Sequence, residues 1–147
     1  MNKGVFALLA MGCLLLLVSA RATEAQLPGT TLRANIPFAF NVGNKALPAG
    51  EYQIRRINDA PEGLVISSLN NRDHAMFVTE GVQARTTPRH SELVFHHYGD
   101  TYYLSQVFTG GEPTGRELPE SHSERTMRRQ LARSNQTTGE TVALVAY

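Results

Sequence analysis

Leu32, Ala34, Ile36, Phe38, Phe40 and Val42 occupy alternate positions, and Arg33, Asn35 and Asn41 fall between them. A period of two sends one apolar face inward and one polar face outward, which predicts a half-buried strand from about Thr31 to Val42. Pro37 lies on the polar side and has no amide to donate, so an edge position or a bulge is expected there. Gly43-Asn44 is a two-residue hairpin signal. Leu47-Pro48-Ala49-Gly50 has the Pro and Gly placement of a type I turn. A second strand is expected from Glu51 to Ile57, with Tyr52 and Ile54 on one face and a bulge or strand end at Ile57. Asn58 to Gly63 reads as a turn cluster, Leu64 to Leu69 as a short apolar strand, Asn70 to Asp73 as a turn, and Ala75 to Thr79 as a further strand. Val82 and Ala84 extend the strand pattern before a loop at Thr86-Thr87-Pro88-Arg89.

A second hairpin is expected over Glu92 to Thr109, turning at Gly99-Asp100. Unbroken pairing from that turn gives one face Leu93, Phe95 and His97 against Tyr102, Leu104 and Gln106, with Phe108 beyond. The other face carries Val94, His96 and Tyr98 against Thr101, Tyr103 and Ser105. The first is the expected core face, because Leu and Phe gather on it. Ser121-x-x-Glu124 is a capping-box spacing and predicts a helix from Ser121 to Ser134 with an apolar seam of Met127 and Leu131. Glu124 and Arg128 are placed as a favourable i,i+4 pair. After a polar linker from Asn135 to Glu140, Thr141 to Tyr147 is apolar at both parities, which suits a closing strand buried on both sides. These elements predict a mainly β fold, a small antiparallel β-sandwich or barrel of about six to eight strands, with one C-terminal helix and a closing strand.

The chain has 147 residues. Lys3, the apolar run from Val5 to Val18, and the small residues Ala20, Ala22 and Ala25 form the pattern of a secretory signal peptide cleaved after Ala22 or Ala25. The run is short for a membrane span, so no transmembrane segment is expected in the mature chain. One domain, 26–147, follows the leader 1–25. The single cysteine, Cys13, leaves with the leader. The exported domain therefore lacks disulfides, and its core must hold it alone. Removing Lys3, Arg21 and Glu24 reduces 14 basic and 13 acidic residues to 12 of each. A neutral chain gives no electrostatic reason to expect nucleic acid as a partner.

Three motifs in this order carry a resemblance: Ile36-Pro37-Phe38-x-Phe40-x-Val42-Gly43 with Leu47-Pro48-Ala49-Gly50-x-Tyr52; Leu93-Val94-Phe95-His96-x-Tyr98-Gly99-Asp100; and Gly115-Arg116-Glu117-Leu118-Pro119. Together they resemble a family of small, exported, uncharacterised bacterial proteins, over most of the mature chain. The resemblance implies export, a bacterial source and a single β-rich domain. It brings no activity and no catalytic residue with it.

Candidate chemistry is sparse. His96 and His97 are adjacent on one strand, so their side chains go to opposite faces and cannot chelate one metal together. No zinc-ligand spacing, nucleophile elbow or phosphate loop occurs. No cofactor or metal is expected, and the balance leans against an enzyme. His96, His97, Tyr98, Tyr102 and Tyr103 cluster at the hairpin end and form the candidate binding patch. Arg125, Arg128, Arg129 and Arg133 make the helix a candidate interaction surface, though an Arg-rich outer face is commonly just solvated. The leading expectation is a non-enzymatic envelope or periplasmic domain, secreted or periplasmic, that binds an envelope protein or a small ligand. The alternative is a small barrel with an apolar or aromatic ligand between its sheets; an interior filled by Phe38, Phe40, Phe95, Leu104 and Phe108 would leave it no room. A hydrolase or metal enzyme would need His96 or His97 near an acidic residue in a cleft.

Overall fold

In the computed structural model, which describes residues 31–58, 60–134 and 139–147, the alternation that opens the sequence becomes two strands. β1 (Leu32–Ile36) ends at Pro37, and β2 (Phe40–Val42) resumes in a different sheet. The expected edge or bulge is thus a crossing. Proline ends the ladder of the first sheet while Phe38, Phe40 and Val42 keep facing the core. The signal-peptide expectation and part of the linker from Asn135 to Glu140 lie outside the described residues.

β3 (Lys45–Leu47), β4 (Gly50–Ile57), β5 (Ala60–Ser68), β6 (His74–Val78), β7 (Glu80–Gln83), β8 (Ser91–Tyr98), β9 (Thr101–Phe108), β10 (Thr114–Glu117), the helix α1 (His122–Arg133) and β11 (Glu140–Ala146) complete the order. The described residues hold eleven strands, more than expected, because Pro37 splits the first strand and the short β3 and β10 carry no pattern of their own. One sheet runs β1-β4-β5-β6, and the other runs β11-β8-β9-β10-β7, with β2 alongside β9 and β3 beside β2. The fold is mainly β, a two-sheet sandwich, and the described residues form no closed barrel.

The chain crosses between the sheets three times, at Pro37, between β3 and β4, and at Thr79 between β6 and β7. Thr79 is buried, and both its amide and its hydroxyl donate to the Glu62 carbonyl, each at 2.8 Å. At the opposite seam, Arg33 and Tyr147 exchange two backbone bonds of 2.7 and 2.9 Å, which ties the end of β11 to β1. Ile36, Tyr52, Ile54 and Ile66 from one sheet meet Phe40, Leu93, Phe95 and Leu104 from the other. Phe40 packs edge-on to both Tyr52 and Phe95, with ring centres 5.2 and 5.6 Å apart. The Tyr52 hydroxyl donates to the Pro48 carbonyl at 2.7 Å, which fixes the Leu-Pro-Ala-Gly turn to the core and accounts for the spacing of that motif.

Three sequence expectations are corrected. Pairing between β8 and β9 keeps the register of the Gly99-Asp100 turn as far as Phe95↔Leu104, and then Val94 pairs with Gln106. Ser105 is therefore an extra residue, a β-bulge, and it rotates the remainder of β9. Val107, not Gln106, lies opposite Leu93 and enters the core, while Phe108 is buried outside it. The closing strand is not buried on both sides: Val145 is 66% exposed, because β11 is an outer strand of its sheet. Lastly, Glu124 does not pair with Arg128 across the helix surface but turns inward, and Arg128 bonds Glu120 at 3.0 Å.

Candidate functional site

The bulge sets up the first of two candidate sites. On the outward face of β8 and β9, His96, Tyr98, Tyr103 and Ser105 gather, as the alternation of the hairpin requires. Helix α1 covers this face. Ser121 caps it by accepting from the Glu124 amide at 3.1 Å, and Glu124, Met127 and Leu131 form its inner stripe. The Glu124 carboxylate accepts from His96 Nδ1 at 2.7 Å and from the Tyr98 hydroxyl at 3.5 Å. His96 Nε2 lies 3.2 Å from the Ser105 hydroxyl. The bond to Glu124 raises the His96 pKa above 6.5, against the opposing effect of burial, with Glu120 and Glu117 adding to the rise. Burial, and after it the Glu124 charge, pushes the Tyr98 phenol upward.

Carboxylate, imidazole and hydroxyl stand here in the order of an acyl-transfer triad. Ser105 and Glu124, however, are only 4% and 5% exposed. An attacking hydroxyl needs a substrate carbonyl within about 3 Å. Buried and held against His96, the Ser105 hydroxyl is not open to one. In this geometry the three groups serve to seat the helix, because each satisfies a polar group that the helix covers.

The structure divides the predicted binding patch between two faces. His96, Tyr98 and Tyr103 lie beneath α1, and Tyr98 and Tyr103 are buried there. His97 points the other way and stacks on Tyr102 at 4.1 Å, and Tyr102 stacks on Phe38 at 3.8 Å. This three-ring pile closes the end of the sandwich, with Phe38 also edge-on to Phe95 at 5.3 Å. His97 Nδ1 is 3.8 Å from the exposed Glu140 carboxylate. Arg125, Arg128, Arg129 and Arg133 are all exposed on the outer side of α1. Among the described residues no group of three or more His, Cys, Asp or Glu could hold a metal, and no helix is long and apolar enough to cross a membrane.

The second candidate was missed in the sequence. β6 is the last strand of its sheet, and Met76 and Val78 on its outer face are 67% and 65% exposed. An uncovered strand edge presents unpaired backbone donors and acceptors, and proteins usually guard such edges with Lys, Pro or a bulge. His74-Ala75-Met76-Phe77-Val78 contains none of these. A mostly apolar hollow of about 510 Å³ lies beside it, lined by Ile57, Pro61, Met76, Phe77 and Val78 among others. Another of about 540 Å³ separates β6 from the β2–β3 turn at Gly43 to Lys45. The signal was the alternation of Met76 and Val78 with Ala75 and Phe77. Both sets are apolar, so the pattern alone could not say which was left uncovered.

Compared with known proteins, the chain matches no family model, and neither a curated protein nor a solved structure is detectably similar to it.

Proposed function

We propose that this is an exported, non-enzymatic domain of the bacterial envelope or periplasm that works by binding another polypeptide, and that its contact surface is the free edge of β6. The observation that carries this reading is the pairing of open backbone groups with exposed Met76 and Val78 on a strand that lacks any guarding charge. An extended chain laid along β6 would satisfy the first and cover the second, which is how strand addition combines affinity with side-chain selection. The leader pattern and the motif resemblance support export and a bacterial source.

A second reading rests on the hollow beside Ile57, Pro61 and Met76. At about 510 Å³ it has the size of a site for a small apolar ligand, whereas Phe40, Phe95 and Leu104 fill the space between the sheets. Native mass spectrometry of the protein purified from its host's periplasm or medium separates the two. An added polypeptide mass that disappears with Met76→Lys supports the binding edge. A small-molecule mass replaces it with the ligand reading. A bare monomer at every concentration would sink both for tight partners. The same spectrum gives the start of the mature chain, expected at Thr23 or Gln26; an intact Met1 would remove the export proposal.

A further inference from the structure

We propose that the cleft between β6 and the β2–β3 hairpin is a binding site for a small apolar acid, with Lys45 as the residue that receives its carboxylate. The site goes beyond the reading of β6 as a contact edge and does not rest on it.

The position of Lys45 follows from the hairpin. Lys45 pairs with Val42, and antiparallel partners send their side chains to the same face. Val42 is 4% exposed and belongs to the core, and so does Leu47, two residues on from Lys45. Lys45 thus begins on the inward side of the hairpin, in a row with core residues. It stays exposed because the space in front of it is a cleft of about 540 Å³, not a packed wall. Across the cleft stand Ala75 and Phe77 of the other sheet, the first a core residue and the second packed against the core. The cleft is therefore a gap at the rim of the core, where β6 and the hairpin have no ladder between them among the described residues. Its size falls within the range of about 300–1,000 Å³ usual for small-molecule sites.

The polar groups of the cleft are donors. Lys45 and His74 line it, and neither side chain has a hydrogen bond or an ion pair among the described residues. Asn44 adds a third donor. Its side-chain oxygen accepts from the Ser123 amide at 3.4 Å and from the Ser123 hydroxyl at 3.2 Å, which fixes the orientation of the group and leaves Nδ2 unused among the described residues. None of the residues that line the cleft is acidic. Asp73, next to His74 in the sequence, lines a separate hollow beside Tyr52. Donors without a carboxylate, set around an apolar floor, suit a molecule with an apolar body and one anionic head.

The test uses protein purified from its host's periplasm or medium, with decanoate as the probe and decanol as its uncharged match. Lys3 and Lys45 are the only lysines of the chain, so reductive methylation with isotope-labelled formaldehyde tags Lys45 while keeping its charge. Decanoate should shift the Lys45 methyl signal in NMR and bind at about 0.1 mM, on the order of tenfold tighter than decanol. Lys45→Met keeps an apolar stem and should weaken decanoate about five- to tenfold while leaving decanol unchanged. Lys45→Arg should retain the preference for the acid. Lys45 is exposed, so neither variant should move the urea unfolding midpoint. Equal affinity for acid and alcohol overturns the proposal, because a lysine that only guards the free edge of β3 gives no such preference. Decanoate binding indifferent to Lys45→Met overturns it as well, and so does no binding up to about 5 mM. In native mass spectrometry, a small acid that is lost with Lys45→Met supports the cleft, and one that persists overturns it in favour of the hollow beside Ile57.

Discussion

His96 sits between two demands. Burial disfavours its charge, and the Glu124 carboxylate 2.7 Å away favours it more strongly, so its pKa lies above the ordinary 6.5. The other charged or titratable groups around it are Glu117 from β10, Glu120 just before the helix, Tyr98 on its own strand and Arg128 on α1. A group that binds its proton more tightly when folded contributes stability that is complete below the unfolded pKa and is lost as pH rises through the folded one. Urea unfolding should therefore show a His96 contribution that is full below about pH 6.5 and declines above it. Glu124→Gln should bring the His96 titration, measured by NMR, down from its raised value and flatten that decline. If the variant titrates like the parent, the ion pair is not what raises it. His96→Ala should cost about 1.5–3 kcal/mol, because it leaves the Glu124 carboxylate covered, with only the Tyr98 hydroxyl at 3.5 Å. A loss below about 0.5 kcal/mol would mean that water already solvates Glu124.

At the scale of elements, the clearest constraint joins β9 and β10. A Cβ on Gly115 would lie 2.3 Å from the Phe108 ring, which is buried against that glycine. Gly115→Ala must move the ring or the strand and should cost about 1–3 kcal/mol. Smaller residues at 108 should relieve part of this: Phe108→Leu with Gly115→Ala should be less unstable than the sum of the two single changes. Additive losses would show that the ring does not rest on Gly115. The position of Phe108 also marks where the sequence stops being legible. From Leu32 to Val42 every large apolar side chain has the same parity, and that parity is the more buried one throughout. At the end of β9, Val107 and Phe108 are both apolar, so parity does not choose between them. The bulge at Ser105 chooses, and it depends on pairing with β8, not on local preference. β11 poses the same difficulty, since both its faces are apolar and only its outer place in the sheet leaves Val145 exposed. Glu124 was hidden by its charge. Its spacing from Met127 and Leu131 puts it on the inner stripe of α1, but an ionised residue is expected there only if a partner such as His96 waits beneath.

For the molecule as a whole, the question is what makes two sheets behave as one body. They share a core, and three crossings thread the chain between them. Neither seam is closed by a full ladder. One is the covalent corner at Thr79, and the other is the exchange between Arg33 and Tyr147. The second rests on the two backbone bonds that Arg33 exchanges with Tyr147. Deleting Ala146 and Tyr147 removes the two backbone bonds to Arg33, the pairing of Ala146 with Ser91 and a core alanine that is 4% exposed, and should cost about 1–3 kcal/mol. Val145→Thr alters a neighbouring residue that is 66% exposed, and should stay within about 0.5 kcal/mol. The contrast separates a seam from a merely apolar tail. If the seam matters to the whole body, the truncated protein unfolds in urea at a lower midpoint but still in one transition, by tryptophan-independent probes such as tyrosine fluorescence and far-ultraviolet circular dichroism together. Two separated transitions would mean that the sheets are independent units joined only through their linkers. That result would place the cohesion of the sandwich in the terminal pair more than in the shared core of Phe40, Phe95 and Ile54.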